Sequence, residues 1–451
     1  MLQTLINAWK IADLRKKMLF TCLIVLIFRI GSAIPVPFTN IGEAGIIADP
    51  NGATFMNYLN MMTGDAFNYG TIFAMSITPY INSSIIMQLL AVAIPALERL
   101  QKEGEEGRKK IASITRVVTI VLGVLQSTAY YFYLRSQNYL TTDAAGHAFT
   151  GFAAVFQALV IILCFTAGTA LIMWLGEQIN DKGIGNGISI ILFAGIVSRI
   201  PTLITNLYSG NAGYWRYGGP YYALTIAVGI ILILMIAFIV WMDNAERRIP
   251  VQYAKRVVGR KMYGGQNTHM PIKVNMSGVM PVIFASSILS LPPTIQMFLG
   301  NRIKEGSGWA KFFGVFSSTH WAYAIIYFVF IIAFAYFYSS IQYNPIEMSK
   351  NIRDNGGSIP GIRPGEPTSR YIGKIIGRIT LLGALLLSVV ALFPIIFSQI
   401  STFALTKAGY ADGLNVSLGG TSIIIMVGVA LETVKQLESQ MMMRHYKGFL
   451  D

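Results

Sequence analysis

Ten stretches of this chain are apolar and long enough to cross a lipid bilayer: 18–36, 71–95, 113–134, 152–176, 187–207, 220–242, 275–299, 319–342, 372–397 and 417–437. A helix needs about 20 such residues to traverse the hydrocarbon core. Pro, Gly and Ser recur inside several stretches, which predicts kinked helices packed on one another more than smooth rods in lipid. The first stretch follows Lys10, Arg15, Lys16 and Lys17, as a secretory signal would. It contains Arg29, and Pro35 and Pro37 replace a small-residue cleavage site, so it reads as a retained span.

The polar segments between spans are uneven. Two are about 30 residues long, at 243–274 and 343–371. The first reads ERRIPVQYAKRVVGRKMYGGQNTHMPIKVN, two strand-like runs around a Gly-rich centre, which predicts an extended hairpin projecting beyond the membrane. The second places Arg353, Arg363 and Arg370 among Pro and Gly. Two readings stand for this pair: ordinary basic loops against anionic headgroups, or a docking surface for an acidic or RNA-containing partner. A further segment, 55–67, is apolar but short, and Gly64, Asp65 and Gly70 break it from the next span. It fits a re-entrant half-helix or a helix lying in the interface. GIGNGIS at 183–189 has the wrong spacing for a dinucleotide fingerprint and reads as a turn and tight helix start.

Composition narrows the class. Of 451 residues 12% are charged and 54% hydrophobic, with mean hydropathy +0.55. Water-soluble globules carry about a quarter charged residues, which excludes that class, and 26 Phe with 22 Tyr exclude disorder. The expectation is an all-α polytopic membrane protein. Net charge is nevertheless +14, from 35 Lys and Arg against 21 Asp and Glu, which suggests either nucleic-acid contact or membrane topology. Loop counting separates these. The side holding the N-terminus carries 27 Lys and Arg and the other side 7, so both termini are expected in the cytoplasm. Ten spans divide into halves of five, 1–207 and 220–451, joined by an external loop at 208–219. Such halves would be inverted relative to each other, with the working site between them.

Catalytic chemistry is sparse. Cys22 and Cys164 lie in apolar runs as small hydrophobes, and the four His are too scattered for a metal site. No phosphate-binding loop or nucleophile–base arrangement is present, which argues against an enzyme. Asp243, Glu177 and Glu432 fall towards span ends, whereas coupled transporters place acids in mid-span. A small-solute secondary transporter with inverted repeats therefore stands as the alternative. Arg29 is the one conspicuous interior base, placed to snorkel or to bond neighbouring carbonyls.

Seven segments, in order along the chain, carry a resemblance. They are FRIGSAIPVP at 28–37, SITPYINSSIIMQLL at 76–90, KEGEEGRKKI at 102–111, MWLGEQINDKGIGNGISI at 173–190, RRIPVQYAKRVVGRKMY at 247–263, THMPIKVNMSGVMPVIFASS at 268–287 and PGIRPGEPT at 360–368. With them the chain closely resembles the SecY/Sec61α family of protein-conducting channels over nearly its whole length. The resemblance implies a passive pore between two five-helix halves, moving unfolded polypeptides across the bacterial cytoplasmic membrane and apolar segments sideways into it. By local motif, the constriction ring would be Ile77, Ile81, Ile188, Leu192, Ile283 and Ile425. Leu192 departs from the isoleucine usual in that ring. A narrow aliphatic ring resists wetting while fitting round a moving chain. A plug at about 55–69 would use Leu59, Met61, Met62, Gly64 and Phe67. A lateral gate would bring together Ser83, Ser84, Gln88, Gln126, Asn275, Ser286 and Ser287. The basic loops would dock the ribosome and the SecA motor ATPase through Arg260, Lys261 and Arg363, with Arg247, Arg248, Lys255 and Arg256. Lys261 stands where the family often has Arg, which keeps charge but loses bidentate phosphate geometry. Small membrane subunits SecE and SecG, a translocating polypeptide and anionic phospholipids complete the implied partners; no cofactor is implied.

Overall fold

The computed structural model describes residues 2–41, 45, 46, 60, 63–141, 149, 151–208, 219–253, 256–258, 261–263, 267–299, 308–316, 321–407 and 420–447. The first half contains helices α1 (Leu2–Lys10), α2 (Ala12–Gly31), α3 (Thr78–Ala93), α4 (Pro95–Lys102), α5 (Glu105–Ser136), α6 (Phe152–Lys182), α7 (Gly187–Val197) and α8 (Ile200–Tyr208). The second begins with α9 (Pro220–Asn244) and strands β1 (Glu246–Tyr253), β2 (Arg256–Val258), β3 (Lys261–Tyr263) and β4 (Asn267–Lys273). It continues through α10 (Met280–Leu289), α11 (Leu291–Leu299), α12 (Gly308–Val315), α13 (Trp321–Gln342), α14 (Pro345–Asp354), β5 (Gly357–Ser358), α15 (Glu366–Lys407) and α16 (Gly420–Lys447).

Among the described residues seven helical segments are long and apolar enough to span a membrane, or eight if α3 and α4 count as one bent span. The other two predicted spans are helical but altered. α2 carries Asp13, Arg15, Lys16, Lys17 and Arg29, and 275–299 breaks at Ser290 between α10 and α11. The predicted second span, 71–95, needs correction at its start. Residues 72–77 form turns, and the helix begins at Thr78 with Pro79 in its first turn. Proline suits that position because its missing N–H would be unbonded there anyway. At the other end Pro95 excludes helical backbone at Ile94, and the chain bends by 106° into α4.

The most apolar stretch of α9 has mean hydropathy 3.1, yet only 22% of it is buried inside the protein. Ile230, Ile233, Leu234 and Trp241 stand exposed on that helix, an apolar surface suited to lipid or to a membrane-embedded partner.

Three apolar clusters organise the spans. One packs Tyr130, Leu134, Ile161 and Phe165 of α5 and α6 against Val36, Phe67 and Met75 in the first half. Another joins α8 of the first half to α9, α10, α13, α15 and α16 through Leu203, Tyr221, Ile239, Val282, Ile331, Leu387 and Ile424. The third lies between them and draws on both halves, from α2, α3, α6 and α7 to α10 and α16. At one end α1 closes on the opposite half: Thr4 Oγ1 donates to Glu438 Oε1 at 3.0 Å, and Ala8, Leu14 and Ile184 pack on Leu437. The N-terminal helix and the C-terminal part of α16 therefore share one side.

The predicted hairpin is present. β1 and β4 pair antiparallel from Glu246 with Lys273 to Gln252 with Asn267, and β2 and β3 form a ribbon beyond them. One feature has no counterpart in the linear pattern. β5, from the second long loop, adds to β1 at Gln252 and Tyr253, which makes a three-stranded sheet of order β4-β1-β5. Beneath it Ile249, Val251 and Ile272 share a core with Ile352, Ile359, Ile372 and Ile376. The two long loops are thus one folded platform. The chain is helical in its spans and adds this small sheet outside them.

Candidate functional site

The six ring candidates come from four segments and meet in the middle cluster. Ile77 caps α3 at its N-terminus and Ile81 follows one turn later. Ile188 and Leu192 lie at i and i+4 on α7, hence on one face. Ile283 is supplied by α10 and Ile425 by α16. Ile77, Ile81, Leu192, Ile283 and Ile425 are buried members of this cluster, and Ile188 packs against it partly buried. The six positions therefore join the two halves through one aliphatic cluster.

Local chemistry places α7. Asn186 Oδ1 accepts from the N–H of Ile188 at 3.1 Å and of Ser189 at 3.4 Å, an N-cap. Asn180 Oδ1 takes the Gly187 N–H at 2.8 Å. A Cβ at residue 187 would stand 1.9 Å from the Gly176 carbonyl, so only glycine lets α7 start against α6. The glycine cluster of the sequence is the turn and helix start expected of it.

Plug candidates Leu59, Met61 and Met62 lie outside the described residues, as do 209–218 of the loop that joins the two halves. Gly64 and Phe67 are buried. Residues 64–70 are a chain of turns, with the Phe67 ring 4.5 Å from that of Tyr130. Thr63 Oγ1 accepts the Phe67 N–H at 3.1 Å.

The gate candidates are dispersed in their bonding. Ser83, fully buried, donates to the Thr115 carbonyl on α5 at 2.8 Å. Gln88 donates to Ser84 within α3 at 3.2 Å, and Gln126 is half-buried on α5. Asn275 donates to Asp243 Oδ1 at 2.7 Å, tying the foot of the hairpin to the end of α9. Ser286 donates to the Ile283 carbonyl at 2.9 Å inside α10, while the Ser287 carbonyl accepts from Ser290 at 2.6 Å. The described bonds of Ser83, Ser84, Gln88 and Asn275 thus do not run between the second and seventh spans. Beside the aliphatic cluster, the halves touch where α11 lies along α5.

The docking candidates concentrate on the platform. Arg247 and Arg248 are exposed on β1, where Arg248 Nε lies 2.8 Å from Glu246 Oε1. Arg256 and Lys261 belong to the β2–β3 ribbon, and Lys255 and Arg260 lie outside the described residues. Arg363 is exposed in the turn before α15, its carbonyl accepting from Thr368 Oγ1 at 2.8 Å. Sequence reasoning took both loops together as a docking surface but missed that they share one sheet and one core. The only linear trace of that core was the isoleucine at 352, 359, 372 and 376, which reads equally as span or loop.

Two helix groups meeting at a buried aliphatic cluster, with a basic platform on one side, define a multi-pass membrane protein. Comparisons make the class particular. The SecY family model matches residues 71–434. A "Protein translocase subunit SecY" from Streptomyces galbus is 43% identical over 100% of both chains, and one from Mycobacterium bovis is 41% identical over 100% of both. The fold is similar to a solved structure described as "The structure of a protein conducting channel", with TM-score 0.60, 20% identity and coverage of 94% of this chain and 92% of that one. It is also similar to "Sec61 in the Canine ribosome-channel complex from the endoplasmic reticulum", with TM-score 0.56, 18% identity and coverage of 94% and 92%. The chain belongs to the SecY family. That membership leaves the solute-transporter alternative without support.

Proposed function

We propose that this chain is the pore-forming subunit of a protein translocase, a passive channel for unfolded polypeptides with a lateral exit for apolar segments. The observation that carries the reading is the meeting of Ile77, Ile81, Ile188, Leu192, Ile283 and Ile425, from both halves, in one apolar cluster. A seam of this kind resists wetting when shut, and no covalent link described holds it closed. The polypeptide would pass between halves 1–207 and 220–451, hinged at 208–219, and the plug would lie beneath the ring on the side away from the platform.

The platform faces the cytoplasm on this reading, with both termini on that side of a bacterial cytoplasmic membrane. It would dock SecA or the ribosome through Arg247, Arg248, Lys255, Arg256, Arg260, Lys261 and Arg363. SecE and SecG would flank the lipid-facing helices. Homology supports an association of this kind, since one structural relative is described within a ribosome-channel complex. The gate residues take a modified role: Ser83 anchors the second span to the third, and Asn275 anchors the hairpin foot.

A crosslinking scan tests the pore. With a secretory nascent chain stalled in the channel, photocrosslinkers at all six ring positions should mark the polypeptide, while exposed Ile233 on α9 should not. Labelling at Ile233 and silence at the ring would place the path elsewhere.

A further inference from the structure

Arg29 stands near the end of α2 remote from α1, and Arg199 follows the end of α7. These two bases converge on consecutive residues of the 60–70 segment. Arg29 Nη1 donates to the Gly64 carbonyl at 3.0 Å. Arg199 Nε lies 3.3 Å from Asp65 Oδ1, with the two side chains 15% and 23% exposed. Among the described ion pairs this one is the most sheltered.

The segment they grip is built to receive them. Gly64 and Asp65 have φ of +64° and +72°, so the chain reverses there in the left-handed region. A Cβ on residue 64 would lie 2.7 Å from Ser198 Oγ and 2.9 Å from the Gly195 carbonyl, so the turn sits tightly on the end of α7. Asn60, buried, donates to Asp65 Oδ1 at 2.9 Å and accepts the Asn68 N–H at 3.1 Å. Tyr130, also buried, donates its hydroxyl to the Phe67 carbonyl. A sheltered carboxylate thus has one guanidinium and one amide as partners. Charge-assisted bonds in such surroundings are strong, and separating one leaves a charge without its counterpart.

We propose that Arg29 and Arg199 are positioning residues of the channel's closure. Reaching from the first and fifth spans, they clamp the root of the plug onto the first half and set how readily it is released. The proposal rests on the plug reading of 55–69. It also gives Arg29 a role, since the guanidinium bonds a carbonyl 35 residues away.

The test is spontaneous ion conductance in planar bilayers, using the chain reconstituted with its partner subunits and no substrate. D65N retains an acceptor for Asn60 and tolerates the left-handed backbone while removing the charge. R199Q removes the opposite charge and R199K keeps it. D65N and R199Q should each raise the open fraction about tenfold. Their double variant should leak no more than either single one, and R199K should stay near the parent. A variant lacking 55–62 runs in parallel. If that deletion leaks and D65N does not, the clamp is wrong while the plug stands. If neither leaks, both fall. Additive leaks in the double variant, or an R199K leak equal to that of R199Q, would indicate general loosening and overturn the clamp.

Discussion

β-Branched side chains suit a seal that must open and reclose. Isoleucine is stiff at χ1, so a ring of them keeps its shape with little rotamer freedom to lose. Ile81 and Ile283 belong to different halves and meet in the same cluster. Replacing both by glycine removes two buried side chains at the seam, where the cavity cannot collapse without moving whole helices. Ile81→Gly with Ile283→Gly should make the resting channel measurably leaky to ions in planar bilayers. Background conductance from that variant would count against either the ring or the seal. Each of these isoleucines alone was indistinguishable in the sequence from a core or lipid-facing residue. Their selection came from the motifs SITPYI, GISIIL, MPVIFASS and GGTSIIIM, and their juxtaposition from the packing of α3, α7, α10 and α16.

At the scale of elements, the platform explains how basic residues more than a hundred positions apart in the chain act as one surface. Arg247 and Arg248 on β1 and Arg363 before α15 are held by the same sheet and core. The hairpin was legible because period-two runs flank a Gly-rich centre. The addition of β5 was not, because two paired residues at Gly357 and Ser358 leave no periodic signal. The Arg363 turn is fixed by backbone: Gly361 and Gly365 take φ of +79° and +105°, and Thr368 bonds the Arg363 carbonyl. The exposed side chain can therefore change without disturbing its support. Arg363→Glu should shift thermal stability by no more than about 0.5 kcal/mol and should sharply slow motor-driven translocation in vesicles. Transport at the parent rate would show that docking lies elsewhere on the platform.

Taken whole, the molecule is two helix groups, each organised round its own cluster, with α8 reaching into the second, joined through a third cluster and braced at one end by α1 on α16. On the proposed reading the third cluster is the seam that would part while the other two hold, apart from α8, whose Leu203 packs in the second-half cluster. Parting requires work, and the sequence contains no nucleotide-binding loop to supply it. Vesicles holding the chain and its small subunits should therefore not translocate a secretory precursor until a cytoplasmic motor with ATP, or a translating ribosome, is added. ATP-driven transport by the chain alone would contradict this.

The sequence by itself determined the membrane class and the approximate spans, and it supplied the expectation of which side gathers the basic residues. These follow from local composition, because burying about 20 apolar residues in lipid is decided segment by segment. It also located the turn and helix start at 183–189 and the hairpin, both set by near neighbours. Only the tertiary structure decided that residues 72–77 are turns, that the seventh span breaks, that both long loops share one sheet, and that Arg29 and Arg199 hold Gly64 and Asp65. The shared sheet and the two arginine contacts depend on partners distant in the chain, whose approach is fixed by how the elements pack, whereas the bend of the second span follows locally from Pro95.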